Sequence, residues 1–195
     1  RVQSDAGGGM GLILASNSPR RRELLARLTT DFSVVPSRVD ERGRGAPPER
    51  VVEAAKAKAR AVGRTERGVI IGADTIVVID GEALGKPETR DEAEAMLRRL
   101  SGRTHSVLTG LCVRNTEAEA ERTHCEETTV TFRPLDAEEI EAYLDTDEYR
   151  DKAGAYAIQG AAAKFIARID GDYTNVIGLP LCRLTLLLRE VGVRL

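Results

Sequence analysis

The sequence predicts an α/β fold: a mixed, twisted sheet with flanking helices and a long hairpin. Three patterns carry that reading. Short apolar runs alternate with helical segments through the first half of the chain. Residues 69–79, Val-Ile-Ile-Gly-Ala-Asp-Thr-Ile-Val-Val-Ile, are the most apolar stretch and suit a buried strand. Residues 104–113 and 123–132 then have strand composition on either side of a polar connection, 114–122, as in an antiparallel hairpin. Alternation followed by a hairpin argues for a mixed sheet rather than a purely parallel one.

Taken in order, residues 11–15 fit a short buried strand. Ser18 can cap the next helix and Pro19 suits its first position, with Leu24, Leu25 and Leu28 as its apolar face. Residues 32–35 resemble a second strand, followed by a polar loop over 36–48. Residues 49–62 are Ala-rich and helical, and Gly63 stops them. After the strand at 69–79, Asp80-Gly81 is a hairpin turn signal. Residues 91–100 read as a helix, and Asp136 with Glu139 forms a capping-box pattern for a helix reaching Leu144. Residues 164–169 read as a last strand, and 174–191 hold a closing helix.

Composition narrows the partners. Of 195 residues 42% are apolar, enough for a sizeable core, and with few aromatics and no Trp that core is expected to be filled by Leu, Ile, Val and Ala. The formal net charge is −2, so overall charge points to neither a nucleic-acid nor a membrane partner. An anionic substrate would need cations gathered locally. Cys112, Cys125 and Cys182 lack metal or redox spacing and are expected to be buried thiols in a reducing, cytoplasmic setting. No apolar run approaches a membrane span, and no signal peptide is visible. Residues 1–9, polar and Gly-rich, are expected to be an expression remnant or a disordered lead, with one domain over 10–195.

Three segments carry candidate chemistry. The first is Ser16-Asn-Ser-Pro-Arg-Arg-Arg22. A helix N-terminus offers unpaired N–H groups to an anion. Helical spacing puts Arg20 and Arg21 four residues before Leu24 and Leu25, towards the buried side, and turns Arg22 outward. A solvated basic turn is the competing reading.

The second is Asp74, a carboxylate inside an apolar strand, which needs a cation, a metal or hydrogen bonds. It is the best candidate for a general base or metal ligand; pairing with a structural Arg is the alternative. Gly72 and Ala73 before it are expected to leave room for a ligand. Lys58 and Lys86 are each site or surface, and Asp40 or Glu41 would supply a further metal oxygen if not simply solvated.

The third is Asp151-Lys-Ala-Gly-Ala-Tyr-Ala-Ile-Gln-Gly160, whose small residues allow close approach to a flat ligand. Gln159 offers a donor and an acceptor to a nucleobase edge. An ordinary tight connection is the other reading. His105 and His124 are expected to be structural.

Together these segments resemble the Maf family of nucleotide pyrophosphatases. The matching residues are Leu12-Ile-Leu-Ala-Ser-Asn-Ser-Pro-Arg-Arg21, Ile71-Gly-Ala-Asp-Thr-Ile-Val77 with Gly85-Lys-Pro87, Leu100-Ser-Gly-Arg-Thr-His-Ser-Val107, the 151–160 segment and Gly178-Leu-Pro180. The resemblance implies a fold similar to the inosine-triphosphate pyrophosphatases, with a cleft between two lobes. It implies hydrolysis of a nucleoside triphosphate to the monophosphate and pyrophosphate with a divalent cation, Mg2+ or Mn2+. Asp74 matches the base, and Ser16, Arg20, Arg21, Lys58 and Lys86 match phosphate-binding positions. Asp74 and Glu41 match acidic positions near the metal, although the 36–48 loop matches poorly. Arg20, Thr75 and Gln159 resemble the branch that acts on dTTP and UTP; the 7-methyl-GTP branch typically has Trp, Gln and Glu there. Asn17 and Arg22 lie at variable positions. The resemblance also implies a homodimer and a link to cell-division arrest. A purine-triphosphate house-cleaning enzyme and a nucleotide-binding regulator without turnover stay open as alternatives.

Overall fold

The computed structural model describes residues 11–39 and 45–195. The expectations for residues 1–9, Asp40 and Glu41 lie outside those residues. In chain order the elements are β1 (Leu12–Leu14), α1 (Pro19–Leu25), β2 (Phe32–Val34), α2 (Pro47–Val62), β3 (Val69–Ile79), β4 (Glu82–Leu84) and α3 (Arg90–Leu100). Then come β5 (Thr104–Asn115), β6 (Ala120–Phe132), α4 (Ala137–Leu144), β7 (Ile166–Asp170), α5 (Tyr173–Ile177) and α6 (Leu181–Glu190). Short 3-10 turns occupy Ala153–Ala155 and Ala161–Phe165.

The strands form one mixed sheet in the order β2-β1-β3-β5-β6-β7, with β4 also on β3. Strands β1, β2 and β3 run parallel, while β3, β5, β6 and β7 pair antiparallel, as the alternation-then-hairpin pattern predicts. The long central strand has a consequence for the site. One edge of β3 pairs with β5 from Val69 to Val78. Its other edge is shared: β1 takes Val69–Ile71 and β4 takes Val77–Ile79. Between those two partners no strand among the described residues neighbours the middle of β3 on that edge. This gap is the mouth of the expected cleft, with the β1–α1 turn on one side and the loop after β4 on the other.

The core divides at the same place. Alternate β3 residues face opposite ways. On one face Val69, Ile71 and Ala73 pack with α1 and α6, whereas Val77 and Ile79 pack with α3 and α4. Thr75 stands at the seam between these two cores. On the other face Ile70 packs with Ala55, Ala59 and Val62 of α2, and Ile76 with Val51 of the same helix.

Local signals act as expected where the chemistry is local. Ser18 Oγ accepts from the Arg21 N–H and Pro19 opens α1. Asp136 and Glu139 form the full capping box of α4. Asp80 and Gly81 both have positive φ, as a two-residue hairpin turn demands.

Other expectations need correction. Residues 174–191 do hold the closing helix, α6, but the short α5 precedes it, because Gly178 turns the chain at φ 123° and Pro180 cannot donate a helical bond. The last strand begins at Ile166, after the turn over Ala161–Phe165. Most of the connection 114–122 is strand, since β5 and β6 stay paired up to Asn115 and Ala120. Helix α1 ends at Leu25, so Leu28 packs on that core from outside the helix. Of the cysteines only Cys112 is buried; Cys125 is half-buried and Cys182 exposed. Burial pushes the Cys112 thiol up to about 12, which keeps it protonated. No helix among the described residues is long and apolar enough to cross a membrane.

Candidate active site

The turn after β1 delivers two arginines in different ways. Arg21 turns into the protein body. Its Nε donates to the Gly178 carbonyl at 2.8 Å, its Nη2 to Thr75 Oγ1 at 3.0 Å and its Nη1 to Ser16 Oγ at 3.4 Å. The positive φ of Gly178 aims that carbonyl at the guanidinium, a conformation that favours glycine. Arg20 instead lines the cleft, and Arg22 is exposed, as the helical spacing predicts. The solvated-turn reading therefore holds for Arg22 and fails for the other two.

Asp74 lies on the α2 face of β3. Lys58 Nζ, from α2, donates to Asp74 Oδ1 at 2.7 Å and to the Ala73 carbonyl at 3.4 Å. The Lys58 and Asp74 side chains are 5% and 13% exposed, so the pair is nearly desolvated. Losing one partner of such a pair leaves an uncompensated charge, at about 3–5 kcal/mol. The alternative pairing with an Arg is replaced by this lysine.

Two glycines make the approach possible. A Cβ at Gly72 would collide with the Ala55 carbonyl oxygen, and one at Gly110, across from Asp74 in the sheet, with the Val51 carbonyl oxygen. Helix α2 thus lies directly on the strand backbones, which brings Lys58 within reach of Asp74. The room at Gly72 admits a helix rather than the expected ligand.

Two adjoining cavities fill the cleft. The first, of about 360 Å³, is lined by Ser16, Arg20, Arg21, Lys58 and Lys86, among others. All five expected phosphate-binding residues therefore share one cavity. The second, of about 80 Å³, holds Arg20, Thr75 and Gln159, the three expected specificity residues, together with Val77, Val107 and Tyr156. Arg20, Lys86 and Asp151 border both cavities. Asp74 lines neither, and meets the larger one through Lys58.

Electrostatics show that the shared wall gathers cations that burial leaves poorly solvated. Burial lowers the pKa of Arg20 from its ordinary value, while Asp151 and then Glu23 work against that shift. Lys152, which lines the smaller cavity, is lowered by burial and then by repulsion from Arg20. Cations that repel each other in a cleft gain from a bound anion.

The 151–160 segment contributes differently from its expected role. Gly154 packs against Val77 and Gly160 against Glu148, so its glycines serve internal packing. Ala153, Ala157, Ile158 and Gln159 line the smaller cavity. Tyr156 also lines it, and its hydroxyl pairs with Nε2 of the buried His105 at 2.8 Å. His124 pairs with Glu126 at 3.1 Å, so both histidines have the expected structural environments.

Sequence reasoning gives Asp151 no role of its own within the 151–160 segment and sets Asn17 aside as variable, yet both line the larger cavity. Asp151 sits at φ 58°, unusual for a residue with a side chain, and that conformation is invisible in the sequence. Asn17 carries no signal beyond its place in the turn. Among the described residues no cluster of three or more His, Cys, Asp or Glu forms a ready-made metal site. Asp74 and Asp151 are the carboxylates at hand, with Glu41 outside the described residues. A sparse carboxylate set beside a cationic cavity fits a cation such as Mg2+, which is usually held by one or two carboxylates plus substrate phosphates.

Comparison with known proteins agrees with this geometry. The Maf family, described as Maf-like protein, matches residues 11–191. A dTTP/UTP pyrophosphatase of Symbiobacterium thermophilum is 53% identical over 93% of this chain and 94% of its own length. One from Thermococcus gammatolerans is 51% identical over 93% of this chain and 96% of its own. Among solved structures, the Staphylococcus aureus Ham1 protein aligns with TM-score 0.47 and 15% identity over 63% of this chain and 71% of that one, too slight a likeness to carry an argument. A family match running from the first strand to the end of the last helix, through every residue of the two cavities, places this chain in the Maf family.

Proposed function

We propose that the protein is a nucleoside triphosphate pyrophosphatase that converts dTTP and UTP to the monophosphate and pyrophosphate. The observation that carries this reading is the joined pair of cavities. A cationic chamber of Ser16, Arg20, Arg21, Lys58 and Lys86 adjoins a smaller chamber with Thr75 and Gln159. The first suits a triphosphate and the second a nucleobase. Relatives named dTTP/UTP pyrophosphatase, 53% and 51% identical, support the choice of base.

In this mechanism Arg20, Lys58 and Lys86 neutralise the triphosphate. Arg20 and Lys86 border both chambers and so hold the nucleotide where base and phosphates meet. Arg21 fixes the turn carrying Ser16 and Arg20. Lys58 Nζ orients the Asp74 carboxylate. Asp74 accepts a proton from water as its oxygen attacks the α-phosphorus. The bond from that phosphorus to the bridging oxygen breaks, and pyrophosphate leaves. A divalent cation, Mg2+ or Mn2+, held by Asp74 and Glu41 with the substrate phosphates, would supply further charge stabilisation when bound. From the family resemblance we also assign a homodimer, to be checked by sedimentation.

The test is pyrophosphate release from dTTP, UTP, CTP, dITP and XTP with each cation. Turnover of dTTP and UTP above the purines is expected. Faster turnover of dITP or XTP, or tight nucleotide binding without pyrophosphate release, would overturn the reading.

A further inference from the structure

Thr75 is one step in a buried chain of hydrogen bonds. Arg21 Nη2 donates to Thr75 Oγ1 at 3.0 Å, and an arginine only donates. Thr75 Oγ1 and Thr109 Oγ1 are 2.9 Å apart, from facing positions of β3 and β5. Thr109 Oγ1 lies 3.4 Å from the Asn175 carbonyl oxygen. Thr109 and Asn175 are both fully buried.

Each hydroxyl has one proton and two lone pairs. The direction of the Thr75–Thr109 bond therefore decides what Thr75 shows the cavity. If Thr109 donated to Thr75, both Thr75 lone pairs would be occupied and its proton would be free to face the ligand. If Thr75 donates to Thr109, one lone pair remains and Thr75 is an acceptor.

The far end of the chain selects between them. At the end of α5 the N–H groups of Gly178 and Leu179 both go to the Thr174 carbonyl, and Pro180 has no N–H. The next carbonyl, that of Asn175, is left to the Thr109 hydroxyl. Buried carbonyls are rarely without a donor. Asn175 itself is tied down: its Nδ2 donates to the Val107 carbonyl and to Thr128 Oγ1, both at 3.0 Å, and to the Glu126 carbonyl at 3.4 Å. The Thr109 proton thus goes to Asn175, and the Thr75 proton goes to Thr109.

We propose that this relay holds Thr75 as an acceptor towards the base, so that Thr109, which lines neither of the two cavities, is a specificity-determining positioning residue favouring bases with an N3–H. Uracil and thymine carry that donor; cytosine presents a lone pair there. The proposal rests on the reading of the smaller cavity as a nucleobase site.

The test is the ratio of kcat/KM for UTP over CTP. Thr109→Val keeps the shape and removes the acceptor for the Thr75 proton. That proton can then turn to the ligand, and the ratio should fall about tenfold. Thr109→Ser restores the hydroxyl and should keep the wild-type ratio. A merely structural role for Thr109 would lower both substrates alike. An unchanged ratio in a folded Thr109→Val protein, with UTP still turned over, sinks the relay and leaves the pyrophosphatase reading standing. Wild-type protein that releases no pyrophosphate from dTTP or UTP sinks both. Should Thr109→Val not fold, the wild type is assayed with 3-deazauridine triphosphate, which has C–H in place of N3–H. About a tenfold loss of kcat/KM relative to UTP is then expected, and equal turnover overturns the proposal.

Discussion

The two faces of β3 differ sharply at one peptide step. On the α2 face Asp74 meets Lys58 in a nearly desolvated ion pair. On the opposite face Thr75 meets Arg21 and Thr109 through hydroxyl bonds at the seam of two hydrophobic cores. The alternation of a strand separates a charged face from one that is neutral but for Arg21, without any loop between them. Beside them the edge of β3 is open between β1 and β4. Phosphates and base can then approach one strand from its two sides, with Arg20 and Lys86 spanning the junction.

If the division is real, variants on one face should spare the other. Asp74→Asn is expected to have the largest effect, lowering kcat about 10²–10⁴-fold. The UTP-to-CTP ratio should survive in the residual activity. Full turnover by Asp74→Asn would remove the charged face from the chemistry.

The next effect sits behind the neutral face. Burial lowers the His105 pKa from 6.5 to about 4, so the folded chain resists its protonation. The unfolded chain takes up that proton first as pH falls. The stability this histidine contributes is therefore complete above pH 6.5 and is lost progressively down to about pH 4. The loss is up to about 3 kcal/mol, since each tenfold difference in proton affinity between the folded and unfolded chain is worth about 1.4 kcal/mol. Melting temperature measured between pH 7 and 4 should fall, and His105→Gln should flatten the curve. Parallel curves for the two proteins would place the acid sensitivity elsewhere.

Gly72→Ala should cost about 1–3 kcal/mol through overpacking against α2. Lifting the helix parts Lys58 from Asp74, so turnover should fall along with the melting temperature. The base ratio should stay fixed, because the added methyl lies on the charged face. A changed ratio with unchanged turnover would mean that the faces are not independent.

Much of this organisation is legible in the sequence where its cause is local. The apolar run at 69–79 gives the bounds of β3 unchanged, and the Ser18-Pro19 start and the Asp136–Glu139 box give two helix origins. Spacing alone separates Arg20 and Arg21 from Arg22. The rest depends on contacts between distant segments. Gly72 suggests an approach but not which body approaches. Thr109 and Asn175 look like ordinary strand and helix residues until the sheet sets Thr109 opposite Thr75. The gap beside β3 arises because the three-residue strand β4 pairs where β1 has ended, and so short a strand has almost no signal of its own.

The bond from Arg21 to the Gly178 carbonyl joins residues 157 positions apart. It bears on how the chain is made. Synthesis proceeds from the N-terminus at about 5–20 residues per second, so Arg21 emerges many seconds before Gly178 exists. Until then its guanidinium lacks this acceptor, and the turn bearing Ser16 and Arg20 lacks its anchor. The arginine-rich start of the chain is thus a late-locking part of an early-made segment. A ribosome-bound chain stopped before residue 178 should bind a triphosphate poorly even though every residue of the larger cavity has been synthesised.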